Sequence, residues 1–319
     1  MALRFAAVAS LFLLTTGTVV PSQASTLESV LNNNVITILS GEPEWLNRIE
    51  DLATQLNHSD HLRILPISGA GSVQAINDLI YLRAIDAALL SSDVLVYAEA
   101  QGLIQPGSHK IAYIADIASL PIVLVTRKDI SSLTELAGLR ICTGTANSAA
   151  FATGELLFGS LALPFSRVPL SNTNAVAALQ SGKADAALLL GTEALHLIDE
   201  NRFHILSIPI PENLKDYYSP ALLTADVLAQ FGPEQKPIET ISTALTLAVF
   251  NWPKGNEHSS RLARLAKALW SMPTISDAKD STNLTADVPG WQRHASAIKI
   301  LAELRNNLPE TQSLNGDAQ

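Results

Sequence analysis

Two short polar loops carry the residues best suited to chemistry, because each lies between a predicted strand and a predicted helix. The loops are 68–72 (Ser-Gly-Ala-Gly-Ser) and 143–148 (Thr-Gly-Thr-Ala-Asn-Ser). A helix N-terminus presents unpaired N–H groups and about half a positive charge, so both loops suit a carboxylate or another anion. Simple N-capping of the two helices by Ser, Thr and Asn is the alternative interpretation. The candidate contact residues in the loops are Gly71, Ser72, Gly144, Thr145, Asn147 and Ser148.

Polar residues also follow three other predicted strands. Open α/β sheets bind ligands outside the carboxyl ends of their strands, so several such ends around one cleft would suit a small polar ligand. Trp45 could stack on a ligand or cap the core. Glu42 and Glu44 would disfavour an anion and favour an amino group if they point into the cleft, but an acidic loop more commonly faces solvent. The added candidates are Ser40, Gly41, Trp45, Ser91, Ser92, Asp93, Gly191 and Thr192.

Residues with catalytic or metal-binding potential form no recognisable constellation. Cys142 lies inside a predicted apolar strand and is interpreted as a buried small hydrophobe rather than a nucleophile. His58 and His61 lack a convincing third metal ligand, which favours solvated histidines. The sequence contains no nucleophile elbow, phosphate-binding loop or dinucleotide fingerprint. We therefore predict no enzymatic activity, no cofactor and no resident metal.

Alternating strands and helices must position the polar loops, and this alternation occurs twice along the chain. Continuous apolar strands between helices predict a mostly parallel sheet covered on both faces. The segments 75–90 and 175–189 echo each other, since each gives an amphipathic helix, a turn and then Asp-Ala-Ala-Leu-Leu. We interpret them as equivalent units of two lobes that aim a strand end at one shared cleft. The alternative is that any helix–turn–strand unit of a parallel sheet would look the same. The predicted strands are 35–39, 62–67, 87–90, 121–126, 140–143 and 184–190.

Composition sets the broad class. The chain has 319 residues, of which 47% are hydrophobic and 16% charged, and this excludes a disordered protein. A formal charge of −9 argues against a nucleic-acid partner. A single cysteine excludes a disulfide framework and any cysteine-cluster metal site. A chain of this length favours two lobes over one core, because single cores stop growing beyond roughly 250–300 residues.

The first residues have the features of a targeting segment. Arg4 precedes the apolar run 5–14, and Ser22 and Ala24 supply small residues at the −3 and −1 positions of a cleavage site. The apolar run is shorter than the roughly 20 residues that span a bilayer, although an uncleaved anchor is the alternative. We therefore predict a cleavable signal peptide at 1–24 and a periplasmic protein.

Several segments together resemble the TAXI receptors of TRAP transporters, which are periplasmic binding proteins of type II. The segments 69–73 and 85–89 resemble the family's glycine–serine turn and the aspartate that precedes a strand. The segment 111–125 is similar to its crossover into the second lobe, and 132–141 matches its SLxDLxGKRV segment. The loop 143–148 stands where the family carries a glycine-rich ligand loop with Ser or Thr, and 175–189 matches the next helix and strand.

The resemblance implies the fold, the domain organisation and the function. It implies two lobes, each a mostly parallel sheet flanked by helices, with a ligand cleft between them. We expect the first lobe at 25–120 plus 220–305, the second at 121–219 and a flexible tail at 306–319. The family captures a small organic solute, such as a carboxylate or an amino acid like glutamate, and delivers it to a TRAP membrane permease. We expect a monomer that binds a small molecule and no nucleic acid.

One departure from the family motivates a second hypothesis. The first strand of the family usually leads into a GTGGTYYP-like loop that forms part of the ligand wall. Here the segment 40–45 is Ser-Gly-Glu-Pro-Glu-Trp, which is shorter and acidic. The same fold could therefore serve as a periplasmic sensory module that binds a ligand or a protein and regulates a membrane sensor kinase, without transport.

Overall fold

The computed structural model describes residues 35–59, 62–229, 231, 236–253, 255–272 and 286–307. The predicted signal peptide and His61 lie outside these ranges, as does 308–319 of the predicted tail. Residues 306 and 307, which were expected to fray, continue the last helix, because the first helix breaker, Pro309, comes later. None of the helices in these ranges combines the length and the apolar character that crossing a membrane requires.

Ten strands and eight α-helices alternate along the described chain, with short 3₁₀ turns between some of them. The strands are β1 (Val35–Ser40), β2 (Arg63–Ser68), β3 (Ala87–Ser91), β4 (Ile111–Arg127), β5 (Arg140–Cys142), β6 (Ser166–Val168), β7 (Ala186–Leu190), β8 (Phe203–Leu206), β9 (Ser219–Leu223) and β10 (Ile238–Phe250). The helices are α1 (Leu46–Ser59), α2 (Ser72–Tyr81), α3 (Asp93–Ala100), α4 (Ala149–Ser160), α5 (Asn172–Gln180), α6 (Ala225–Leu228), α7 (Glu257–Trp270) and α8 (Ala295–Asn307).

The strands form two sheets, and each sheet is the centre of one lobe. The first contains the parallel strands β2, β1 and β3, followed by the antiparallel strand β10. The second contains the parallel strands β7, β5 and β6. Strands β1, β3 and β7 are buried almost throughout, as expected for parallel strands covered on both faces. The predicted two-lobed α/β architecture is confirmed.

Strand β4 belongs to both sheets. Residues 111–121 pair with β10 in the first sheet, whereas residues 122–127 pair with β7 and β8 in the second. The strand predicted at 121–126 is therefore the second half of a 17-residue strand rather than a new element. Pro121 causes no break, because it lies where the pairing changes from one sheet to the other and a ladder N–H is dispensable.

The internal echo corresponds to a repeated aspartate that fixes a strand in each lobe. Asp86 precedes β3 and accepts a hydrogen bond from the backbone N–H of Thr37 at 3.0 Å. Asp185 precedes β7 and accepts one from the backbone N–H of Arg140, also at 3.0 Å. In both cases the carboxylate binds the strand beside its own. Both are also neutralised by arginine, Asp86 by Arg261 at 2.9 Å and Asp185 by Arg140 at 3.0 Å.

Candidate ligand-binding site

The two polar loops meet where the lobes touch. The backbone N–H of Val73, in the first turn of α2, donates to the carbonyl oxygen of Asn147 at 2.9 Å. Gly71, just before α2, has φ +128° and ψ 149°, a conformation in which essentially only glycine is found. A Cβ at Gly71 would lie 2.4 Å from the carbonyl oxygen of Asn147, so the lobes are in direct backbone contact.

The side chain of Glu42 occupies the space between the two helix N-termini. Its Oε1 accepts hydrogen bonds from the backbone N–H of Ser72 at 3.0 Å, the Ser72 hydroxyl at 2.8 Å and the backbone N–H of Ala149 at 2.7 Å. Ser72 begins α2 in the first lobe, and Ala149 begins α4 in the second. The first residues of two helices, one from each lobe, therefore donate hydrogen bonds to one carboxyl oxygen of the chain itself.

Glu42 does not face solvent, contrary to the commoner behaviour of an acidic loop. Burial raises the pKa of its carboxyl group from 4.5 to about 7, and the charge of Glu44 adds to this effect. The hydrogen bonds from Ala149 and Ser72 favour the carboxylate and oppose the rise. Gly41 allows this approach, since a Cβ there would lie 2.5 Å from the Ser72 hydroxyl oxygen.

A cavity of about 330 Å³ opens beside Glu42 and is lined by both lobes. The first lobe supplies the loop 42–45, and the second supplies the start of α4, the start of α5 and the end of β7. Helix α5 begins at the cavity, so its first N–H groups, which have no carbonyl partner within the helix, lie at the cavity together with the start of α4. The lining residues are Glu42, Pro43, Glu44, Trp45, Gly144, Thr145, Ser148, Ala149, Ala150, Ser171, Asn172, Thr173 and Leu190.

The predicted site residues divide according to their distance from this cavity. Trp45, Gly144, Thr145 and Ser148 line it. Trp45 is also 6% exposed and packs in the main core, which agrees with the core-capping role considered for it. Gly71, Ser72 and Asn147 form the contact between the lobes, Ser40 and Gly41 lie buried behind Glu42, and Gly191 and Thr192 follow the cavity residue Leu190.

Ser91, Ser92 and Asp93 lie in a separate, buried contact between the lobes. Asp93 is fully buried and accepts hydrogen bonds from the hydroxyls of Thr153 at 2.5 Å and Tyr218 at 2.8 Å. Thr153 belongs to α4 of the second lobe. Burial raises the pKa of the Asp93 carboxyl group. None of these three residues lines the cavity, and only Asp93 among them is bonded to α4 and Tyr218.

The sequence interpretation missed two contributors to the cavity. Glu42 was considered only for its charge, and the start of α5 was not considered at all. The segment Ser171-Asn172-Thr173 has the polar composition of a helix start, so the argument applied to the other two loops could have identified it. The local sequence gives no comparable indication for Glu42, because the position of its side chain depends on the contact between the lobes.

Cys142 is placed as expected for a core residue. It is fully buried, and burial raises the pKa of its thiol to about 11, so little thiolate forms at neutral pH. Within the described ranges, no group of three or more His, Cys, Asp and Glu side chains is arranged to hold a metal ion.

Two lobes joined by the shared strand β4, with a cavity at the carboxyl ends of their parallel strands, have the fold of the periplasmic binding proteins. No protein-family model matches the sequence, and no curated protein matches it. Among solved structures, the chain is similar to a TctC solute-binding protein from Polaromonas, with 17% identity, a TM-score of 0.45 and coverage of 85% of this chain and 96% of the other.

Two further structures have comparable similarity. One is the periplasmic VFT2 domain of BvgS from Bordetella pertussis, with 15% identity, a TM-score of 0.44 and coverage of 78% of this chain and 92% of that domain. The other is PhnD1 from Prochlorococcus marinus in complex with methylphosphonate, with 15% identity, a TM-score of 0.46 and coverage of 86% and 91%. Because the TM-scores lie below 0.5, the fold assignment depends on the strand order and lobe contacts of this chain.

Proposed function

We propose that this protein is an exported receptor that binds a small polar solute in the cavity between its lobes. The observation that carries the proposal is the cavity of about 330 Å³, to which both lobes contribute lining residues. A solute that contacts both lobes is bound better when they are together, so it stabilises the closed state by that difference in affinity. The lobes are those predicted at 25–120 plus 220–305 and at 121–219, with the hinge near 118–122 and 207–222.

Delivery to a membrane permease is the function that the sequence resemblance supports best. The TAXI-like segments run from 69 to 189 and include the loop 143–148, part of which lines the cavity. The closed, solute-loaded receptor would dock on a TRAP-type permease in the periplasm. The resemblance implies carboxylates and amino acids such as glutamate as the solute class.

A sensory role is the second candidate, and the contact of Glu42 favours it. This side chain of the first lobe binds the backbone N–H of Ala149 in the second lobe at 2.7 Å. In such a receptor a side chain of the protein itself holds the lobes together. This arrangement suits a sensory module in which the closed state is the resting state that a membrane sensor detects. Neighbouring genes discriminate: a multispan permease supports transport, whereas a sensor kinase supports signalling.

A thermal-shift screen tests the receptor proposal. The purified protein is heated with carboxylates, amino acids, amines and inorganic anions. A solute at 100 times its dissociation constant stabilises the folded state by about 2.7 kcal/mol, which raises the melting temperature by several degrees. A screen in which no solute raises the melting temperature contradicts the proposal.

A matched pair of variants then locates the site. Thr173 lines the cavity, and Asn174 is the next residue of α5 and does not. Both side chains are exposed, so a Trp is tolerated at either position. Thr173→Trp should abolish the thermal shift by filling the cavity, whereas Asn174→Trp should leave it unchanged. Equal responses from both variants would place the bound solute elsewhere.

A further inference from the structure

The contact between Glu42 and the two helix N-termini has the geometry of a bound carboxylate. Its Oε1 receives three hydrogen bonds of 2.7 to 3.0 Å, two from α2 of the first lobe and one from α4 of the second. A free carboxylate that bridged the lobes would use the same donors, because backbone N–H groups at helix starts are the preferred partners of anions. The side chain of Glu42 thus supplies the carboxylate that a solute would otherwise supply.

A second carboxylate at this position would need donors that Glu42 already occupies. The lobes touch beside it through the bond from Val73 N–H to the carbonyl oxygen of Asn147. Gly71 lies so close to the second lobe that a single added Cβ would come within 2.4 Å of that carbonyl oxygen. A solute carboxylate could reach the donors only if Glu42 left them.

The charge of the adjoining cavity acts in the same direction. Glu42 and Glu44 are among its lining residues, and no Lys, Arg or His is. A second anion in the cavity would meet the charge of Glu44 and, when Glu42 is ionised, that of Glu42 in a partly buried site, where screening by water is weak. The start of α5 also lines the cavity, and its first N–H groups are backbone donors that have no carbonyl partner within the helix.

We propose that Glu42 is a specificity-determining residue that takes the place of a solute carboxylate between α2 and α4. This inference deepens the proposed function, on which it depends, because it concerns the same cavity. It narrows the solute class to molecules that do not place a carboxylate at this position. It also assigns the acidic loop 40–45 a role, since that loop carries the internal carboxylate to the lobe contact.

Removing the side chain and supplying a free carboxylate tests the proposal. The Glu42→Ala variant should melt at a lower temperature than the wild type, because the N–H groups of Ser72 and Ala149 lose their acceptor. Sodium formate or acetate, titrated to 100 mM against sodium chloride of equal ionic strength, should raise its melting temperature saturably by roughly 5 °C. The wild type and the Glu44→Ala control should respond to both salts equally.

A second variant covers the case in which Glu42→Ala does not fold in chloride. Its refolding yield is then measured against formate concentration, and a formate-dependent yield supports the proposal. Glu42→Gln keeps an acceptor oxygen in place, so formate should have no specific effect on it. The absence of any formate or acetate effect on Glu42→Ala overturns the proposal, and so does an equal effect on the wild type. A wild-type solute screen without a hit would instead contradict the receptor function and leave the formate result intact.

Discussion

The titration of Glu42 gives a stability change that can be calculated from the structure. Burial raises the pKa of its carboxyl group to about 7 in the folded protein, against 4.5 for the exposed group. The two values differ by about 2.5, and each pKa unit corresponds to about 1.4 kcal/mol, so the full effect lies between about 3 and 4 kcal/mol. The folded state binds this proton more tightly than the unfolded state. The stabilisation is therefore complete below pH 4.5 and is lost as the pH rises through 7.

The Glu42→Gln variant isolates this effect. Glutamine has nearly the same shape and does not titrate, while Asp93 and Asp116, whose pKa values burial also raises, remain in both proteins. The free energy of unfolding is measured with urea at intervals from pH 4.5 to 8, with tryptophan fluorescence as the signal. The wild-type value minus the variant value should fall by about 3 kcal/mol over this range.

Two results bear on the reasoning. Glu44→Gln removes a neighbouring exposed carboxyl whose charge is the smallest cause of the raised pKa of Glu42, so the pH dependence that Glu42 causes should persist in this variant. If the wild type and Glu42→Gln instead keep a constant difference, within about 1 kcal/mol, then the hydrogen bonds to the carboxylate offset the cost of its burial and the expected rise in pKa is wrong.

Three other predictions follow from the described contacts. Gly71→Ala should force the lobes apart, because the new Cβ would lie 2.4 Å from a backbone oxygen of the second lobe. Small-angle X-ray scattering should then show a larger radius of gyration. Gly138→Ala, at φ +79° with open space around it, controls for backbone strain. Asp185→Asn should lower the free energy of unfolding by about 1 to 2 kcal/mol, because Arg140 loses its carboxylate and Arg127 keeps only that of Asp129, and urea titration measures this loss. Cys142 should resist a thiol reagent at pH 8 in the native protein and react in denaturant, because its thiol is buried with a pKa of about 11.

The local sequence pattern was sufficient to predict several strands of the two sheets. Strands β3 and β7 were predicted as continuous apolar runs preceded by an aspartate, and both occur with Asp86 and Asp185 bound to the adjacent strand. The helix starts after 68–72 and 143–148 were predicted from their polar and glycine residues. The strands and helix starts depend on residues that are near one another in sequence. The two aspartate contacts repeat a common arrangement of neighbouring strands.

Contacts between the lobes could not be predicted, because they join residues far apart in the chain. Asp93 follows a strand end and has the chemistry of a ligand contact. Thr153 and Tyr218 take up its hydrogen bonds instead, and nothing in the local sequence indicates that they would. Glu42 is a similar case, since its partner Ala149 is 107 residues away and offers only a backbone N–H.

The sharing of β4 between the two sheets bears on how the protein unfolds. β4 contributes ladder bonds to both sheets, whereas β10 pairs with β3, β4 and β9 in the first sheet alone. If one lobe unfolded alone, β4 would lose its hydrogen-bond partners in that lobe while it still belonged to the sheet of the other lobe. The two lobes should therefore unfold in a single calorimetric transition, with van't Hoff and calorimetric enthalpies that agree.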